Sequence, residues 1–158
     1  MGITSTWQSS HITVSVYEKD PGGIWKKAAG PWDGRCAKKG LAWGRGLHPV
    51  SPDSARKSEG DWRTPAGVFR IGGAWGYHKT IRKHPGLAYR RVTTRDLWVE
   101  DPSSRYYNRH LILRHEPDKL WEKKAQMRQD DYPHSLKLYI AHNTYPKPVP
   151  GAGSAIFF

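Results

Sequence analysis

Apolar residues in this chain alternate with polar ones over short stretches, and nearly every stretch is closed by glycine, proline or aspartate. Residues 11–17 set Ile12, Val14 and Val16 against Thr13 and Ser15, the period of two that lets a strand rest one face on a core. Asp20-Pro21-Gly22-Gly23 comes next. Proline fixes φ and glycine permits positive φ, so this tetrapeptide predicts a turn into a hairpin partner at Ile24-Trp25-Lys26. Further β-type runs lie at 41–43, 68–71, 97–100, 111–113 and 136–140, and Ser154 to Phe158 opens another. From Gly30 to Gly60 the periodicity fades into an irregular, Gly/Pro/Ser-rich connection with a short strand near Leu41, of the kind that often carries function. One helix is predicted over 118–129. Asp118 can cap it, and Leu120, Trp121, Lys124, Ala125 and Met127 recur at three-to-four-residue spacing. The pattern as a whole predicts a mostly β domain, a β-rich α+β fold with one main helix.

At 158 residues the chain suits a single domain, residues 1–158. Its hydrophobic fraction is only 37%, but eight Trp and eight Tyr bring large buried area per residue, enough for one core. Lys and Arg outnumber Asp and Glu by 26 to 14, a net charge of +12 that attracts polyanions of any kind. The positive charge sits in short clusters such as Lys38-Lys39, Arg90-Arg91 and Lys123-Lys124. No long basic block and no nucleic-acid-binding motif accompanies them, so a specific nucleic-acid partner is not expected. The start of the chain has no basic segment leading into an apolar one, and no apolar run is long enough to cross a bilayer. Cys36 is the single cysteine, which excludes an internal disulfide and any multi-cysteine metal site. The eight histidines show no metal-ligand spacing, so no metal is expected.

Four segments, in order, are GLAWGRGLHP from Gly40, KSEGDWRTPAGVFRIGGAWGY from Lys57, LWVEDPSSRYYNR from Leu97 and IAHNTYPKPVPGAGSAIFF from Ile140. Together they resemble one branch of the YkuD-type peptidoglycan L,D-transpeptidases and span nearly the whole chain. The resemblance implies a curved, sandwich-like β sheet over a small helix. It also implies cysteine acyl transfer on peptidoglycan stem peptides: a thiolate attacks an L,D-configured peptide bond, releases the terminal D-residue and passes the acyl group to a neighbouring amine. Neither metal nor organic cofactor is implied. The location implied is the bacterial cell envelope or the secreted space. In this branch the strand reading GSAIFF is followed by a histidine and then a Gly-Cys pair that carries the nucleophile. Both fall after Phe158, so acyl transfer by these residues alone is not expected, and a second polypeptide supplying further strands is a partner to consider. A non-catalytic module that holds peptidoglycan or another polyanion is the alternative.

Under this resemblance His142 is the candidate catalytic histidine, as a general base or an orienting group near the cleft, with a structural strand-end histidine as the alternative. Arg63, Tyr107 and Arg109 are candidates for contacting substrate. A guanidinium can grip a carboxylate bidentately, and a tyrosine ring offers a flat apolar face with a polar tip. Asn143 and Ser154 complete that set. Arg63 and Tyr107 have structural alternatives: an ion pair with Asp61 or Glu59 for Arg63, and core packing for Tyr107. Cys36, flanked by Arg35, Lys38 and Lys39, could have its thiol activated by cations, but it is read as an incidental loop cysteine. An apolar segment at 154–158 without a pairing partner would invite association with another chain.

Overall fold

The computed structural model describes residues 1–50 and 53–158. Strand outweighs helix by 33% to 3%, which makes the chain mostly β. Ten strands form among the described residues: β1 (Gly2–Ile3), β2 (His11–Lys19), β3 (Trp25–Arg35), β4 (Leu41–Trp43), β5 (Thr64–Ala66), β6 (Ile71–Gly76), β7 (Tyr89–Arg91), β8 (Asp96–Trp98), β9 (His110–Ile112) and β10 (Leu136–Ile140). They are shared among four small sheets, ordered β1-β2-β3, β10-β6-β7, β4-β5 and β8-β9. The predicted hairpin is β2-β3. Its turn is closed by Gly23 N–H to Asp20 O at 2.9 Å and by Ile24 N–H to the Asp20 carboxylate at 2.9 Å, with Gly23 at φ 85°. β3 continues to Arg35, so the irregular connection begins later than the glycines suggest; its residues 51 and 52 lie outside the described residues.

The strand expected at 68–71 keeps only Ile71; the strand there is β6, which runs through the glycine pair 72–73 that reads as a break. Gly72 is needed where it stands, because a Cβ there would come within 2.7 Å of the Tyr139 ring on β10. The helix expected over 118–129 is one short turn, α1 (Leu120–Lys124), with Lys119 rather than Asp118 at its N-cap. Its apolar positions do not face a core: Leu120 and Trp121 are exposed, and the buried residue is Glu122. The Glu122 carboxylate accepts the backbone N–H groups of Asp118 and Lys119, closing the first turn. Beyond Lys124 the chain leaves the helix to meet β8, with Trp98 N–H to Ala125 O and Met127 N–H to Asp96 O.

The core lies between β6, β8 and β10. Val92, Trp98, Met127 and Tyr139 are buried together, with Trp75, Tyr77, Ala141, Ala155 and Phe157 packed against them. Trp98 and Tyr139 lie 4.4 Å apart between ring centroids, and Trp75 meets Trp98 edge-on at 5.6 Å. The segment 154–158 is not left without a partner: Leu138 and Phe158 exchange backbone hydrogen bonds, Ile140 N–H reaches Ile156 O, and Phe157 enters the core. Below this core sits Asp96, fully buried at the start of β8. Its carboxylate receives Arg90 Nε at 2.5 Å, Thr93 Oγ1 at 2.6 Å, Thr93 N–H at 2.9 Å and His110 Nε2 at 2.8 Å. Burial opposes its charge, but the donors from His110, Arg90 and Thr93 outweigh that and hold it well below the usual carboxylate range. No helix among the described residues is long and apolar enough to cross a membrane.

Candidate functional site

β10 ends at Ile140, and the next residues turn beneath a polar cluster made of four remote parts of the chain. His142 is 1% exposed. Its Nδ1 accepts the Arg45 N–H at 3.1 Å and its Nε2 reaches Ala152 O at 2.8 Å. An acceptor at Nδ1 and a donor at Nε2 define a neutral Nε2–H imidazole. Burial lowers its pKa, reinforced by Lys57 and Arg45 and opposed by the bond to Ala152. A ring with both nitrogens engaged by backbone has no lone pair left for a substrate proton. In this arrangement His142 is the structural strand-end histidine, a strut between the loops at 45 and 152.

Asn143, fully buried at φ 54°, ties the following loop to itself. Its side-chain N–H groups donate to Val149 O and Gly153 O, both at 3.0 Å, and its oxygen accepts Val149 N–H at 2.9 Å. Asn108, the residue after Tyr107, is buried at φ 55°. It donates to His142 O and Asn143 O, and accepts Trp98 Nε1–H and Ala155 N–H. Asparagine tolerates the left-handed region better than most residues, so each carries both the turn and its bonds. Gly153 is at φ 92°, and a Cβ there would sit 3.0 Å from His142 Nε2, so the loop can pass this close only as glycine.

Above this floor stands Glu59. One of its carboxylate oxygens, Oε2, receives both the Tyr107 hydroxyl and the Ser154 hydroxyl, the latter at 2.8 Å; the backbone N–H of Glu59 binds Gly151 O. Burial and the Glu59 anion push the Tyr107 phenol upward, keeping it a neutral donor. The other oxygen, Oε1, takes no hydrogen bond among the described residues, so it can receive an ammonium or amide N–H. Beside it, buried Lys57 places its Nζ 2.6 Å from Asp61 Oδ1. Tyr107, Asn143, Ser154 and His142 are therefore brought together.

Arg63 and Arg109 are not part of this cluster. Arg63 donates from its guanidinium to Leu41 O at 2.9 Å and from its backbone to Asp61, so neither ion pair considered for it forms. Arg109 is exposed, and its side chain makes no hydrogen bond among the described residues. Cys36 lies apart as well, along an apolar cavity between the N-terminal sheet and the 154–158 segment. Its thiol donates to Ser9 O, and burial raises its pKa, the opposite of an activated nucleophile.

No family model, curated protein or solved structure matches the chain. The site therefore has to be read from its own chemistry. Glu59 and Asn108 were missed from sequence; the signal available was an Asn in each of the two turn-like segments Tyr107-Asn108-Arg109 and His142-Asn143-Thr144. One group among the described residues has donors gathered as a cation would need them, His115, Asp118 and Glu122 within 4.8 Å of one another. Glu122 already spends one oxygen on the first turn of α1, so the arrangement serves the helix.

Proposed function

We propose that this chain is the substrate-holding part of a peptidoglycan L,D-transpeptidase-like domain of the cell envelope, with stem peptides as its ligands. One observation carries the reading. The four segments that resemble the family, separated by tens of residues, supply the members of a single cluster: Arg45 from the first, Lys57 and Glu59 from the second, Tyr107 and Asn108 from the third, His142, Asn143 and Ser154 from the fourth. Glu59 Oε1 suits the amine of a diaminopimelate side chain, and exposed Arg109 suits a stem carboxylate. Acyl transfer needs a thiolate, and Cys36 is neither in the cluster nor activated. The reading therefore gives these residues the task of binding.

The test is calorimetric titration with a diaminopimelate-containing stem tetrapeptide. Saturable binding that weakens by about tenfold in Glu59→Gln is expected. No binding to the unaltered chain sinks the reading. Incubation with a carbapenem should leave Cys36 unmodified, and an adduct there would reassign the nucleophile. The net charge of +12 favours a second reading, a polyanion-binding module without chemistry. That reading expects retention on purified sacculi to vanish at high salt, whereas stem-peptide recognition by the cluster should survive it.

A further inference from the structure

Ser58, Asp61 and Arg63, from the same segment as Glu59, line a concavity of their own. It has a volume of about 510 Å³, within the range of small-ligand clefts. Its wall is aromatic. Trp7 and Trp43 meet at 5.1 Å between ring centroids, inclined at 58°, and Trp7 remains 42% exposed. The position of Trp7 is built in: its carbonyl accepts Leu41 N–H at 2.7 Å, and a Cβ on Gly40, at φ 77°, would come within 2.0 Å of that carbonyl oxygen. Only glycine at 40 lets the two strands of chain approach this closely.

The rim is polar and carries both senses of hydrogen bonding. Gln8, Arg56 and Arg63 bring donors. Asp61 brings an acceptor, held by Lys57 Nζ and Arg63 N–H on Oδ1 and by Ser58 N–H on Oδ2, which leaves lone-pair capacity on Oδ2. A purely apolar ligand would bury this rim without partners. A nucleic-acid strand could stack on the rings and reach Arg56 and Arg63, but its phosphates only accept and leave the open acceptor on Asp61 without a partner. A saccharide satisfies both surfaces. One face of a pyranose ring is C–H and packs on an indole, while its hydroxyl and acetamido groups both donate and accept.

We propose that this cleft binds a sugar of the N-acetylhexosamine class, stacked on Trp7 and Trp43 and hydrogen-bonded by Asp61, Arg56 and Gln8. The proposal deepens the peptidoglycan reading and rests on it for biological context, because a glycan strand and its stem peptide are covalently joined and the 57–63 segment contributes Glu59 to one place and Ser58, Asp61 and Arg63 to the other. Its test is independent. The probe is N-acetylchitotetraose, which contains no peptide, titrated into the chain and followed by tryptophan fluorescence and calorimetry. Saturable binding is expected. Trp7→Ala should weaken it by about tenfold and Arg56→Ala by about threefold, while Trp25→Ala, on the exposed hairpin, should leave it unchanged. Near-ultraviolet circular dichroism checks each variant, and Arg56→Ala together with Gln8→Ala decides the matter should Trp7→Ala unfold. Absence of saturable binding at millimolar tetrasaccharide overturns the proposal. So does undiminished binding by Arg56→Ala and Trp7→Ala, or displacement of the sugar by oligothymidylate at equal affinity. Because the stem tetrapeptide carries no sugar, failure here and failure of stem-peptide binding are separate results.

Discussion

The β2-β3 hairpin and the body around Asn108 reach order by opposite means. The hairpin has the longest strands, nine and eleven residues paired in antiparallel register from His11↔Arg35 to Lys19↔Trp25, yet Ser15 is its only buried residue. Val16, Trp25 and Trp32 remain exposed. In the body no strand among the described residues exceeds six residues, but β8 is buried throughout and its neighbours are held by side chains that bond backbone. Strand length and burial are thus separated in this molecule. Backbone ladders build the hairpin, whereas Asn108, Asn143, His142 and Asp96 hold irregular chain in place.

That contrast can be broken most directly at Asn108. Replacing it with Ala strands three buried groups, Trp98 Nε1, His142 O and Asn143 O, and the partly buried Ala155 N, and puts a Cβ-bearing residue without polar help at positive φ. A loss of about 4 kcal/mol is expected in urea unfolding; a loss below 1 kcal/mol would remove Asn108 from the centre of the account. Asp96→Asn comes next, at about 3 kcal/mol, with Arg90 able to reach solvent and soften the loss. A smaller effect should follow pH. The folded-state pKa of His142 lies below its ordinary value of 6.5, so the unfolded chain takes up its proton first. Its contribution is fully present above pH 6.5 and is lost as pH falls through the folded pKa. His142→Gln should flatten that part of the profile, and an unchanged slope would assign the pH dependence elsewhere. Least of all should Val16→Ala or Trp25→Ala matter, at under about 0.5 kcal/mol each. Hydrogen exchange sharpens the same contrast, since hairpin amides should exchange before those of β8 and β10.

Where side-chain alternation or turn chemistry decides structure, the sequence was readable. Residues 11–17, the Asp20–Gly23 turn and 136–140 form strands and a turn where their patterns predict, but the buried residues are Ser15, Lys137 and Tyr139 rather than the alternating Ile, Val and Leu. It was misleading where burial runs against residue type. Glu122 is the inward residue of α1 while Leu120 and Trp121 face out, so helical spacing at 118–129 had no core to serve. Gly72-Gly73 lies within β6 because Tyr139 needs the space above Gly72. The parallel pairs β4-β5 and β6-β7 join residues whose partners no local pattern announces. At the site, the cluster members His142, Asn143, Tyr107 and Ser154 were legible one by one. Their common anchors, Glu59 and Asn108, were not, because a carboxylate in a loop and an Asn after tyrosines read as ordinary surface.

The cluster also bears on how the chain can reach its native state. The bond from Arg45 to His142 spans 97 residues and that from Ser154 to Glu59 spans 95. Contacts this distant are closed only after a large loss of chain freedom, which places the molecule among slow-folding topologies. During synthesis the β2-β3 hairpin can form as soon as it emerges. The polar cluster has to wait until Ser154 and Ala155 have left the ribosome, because Ser154 binds Glu59 and Ala155 binds Asn108.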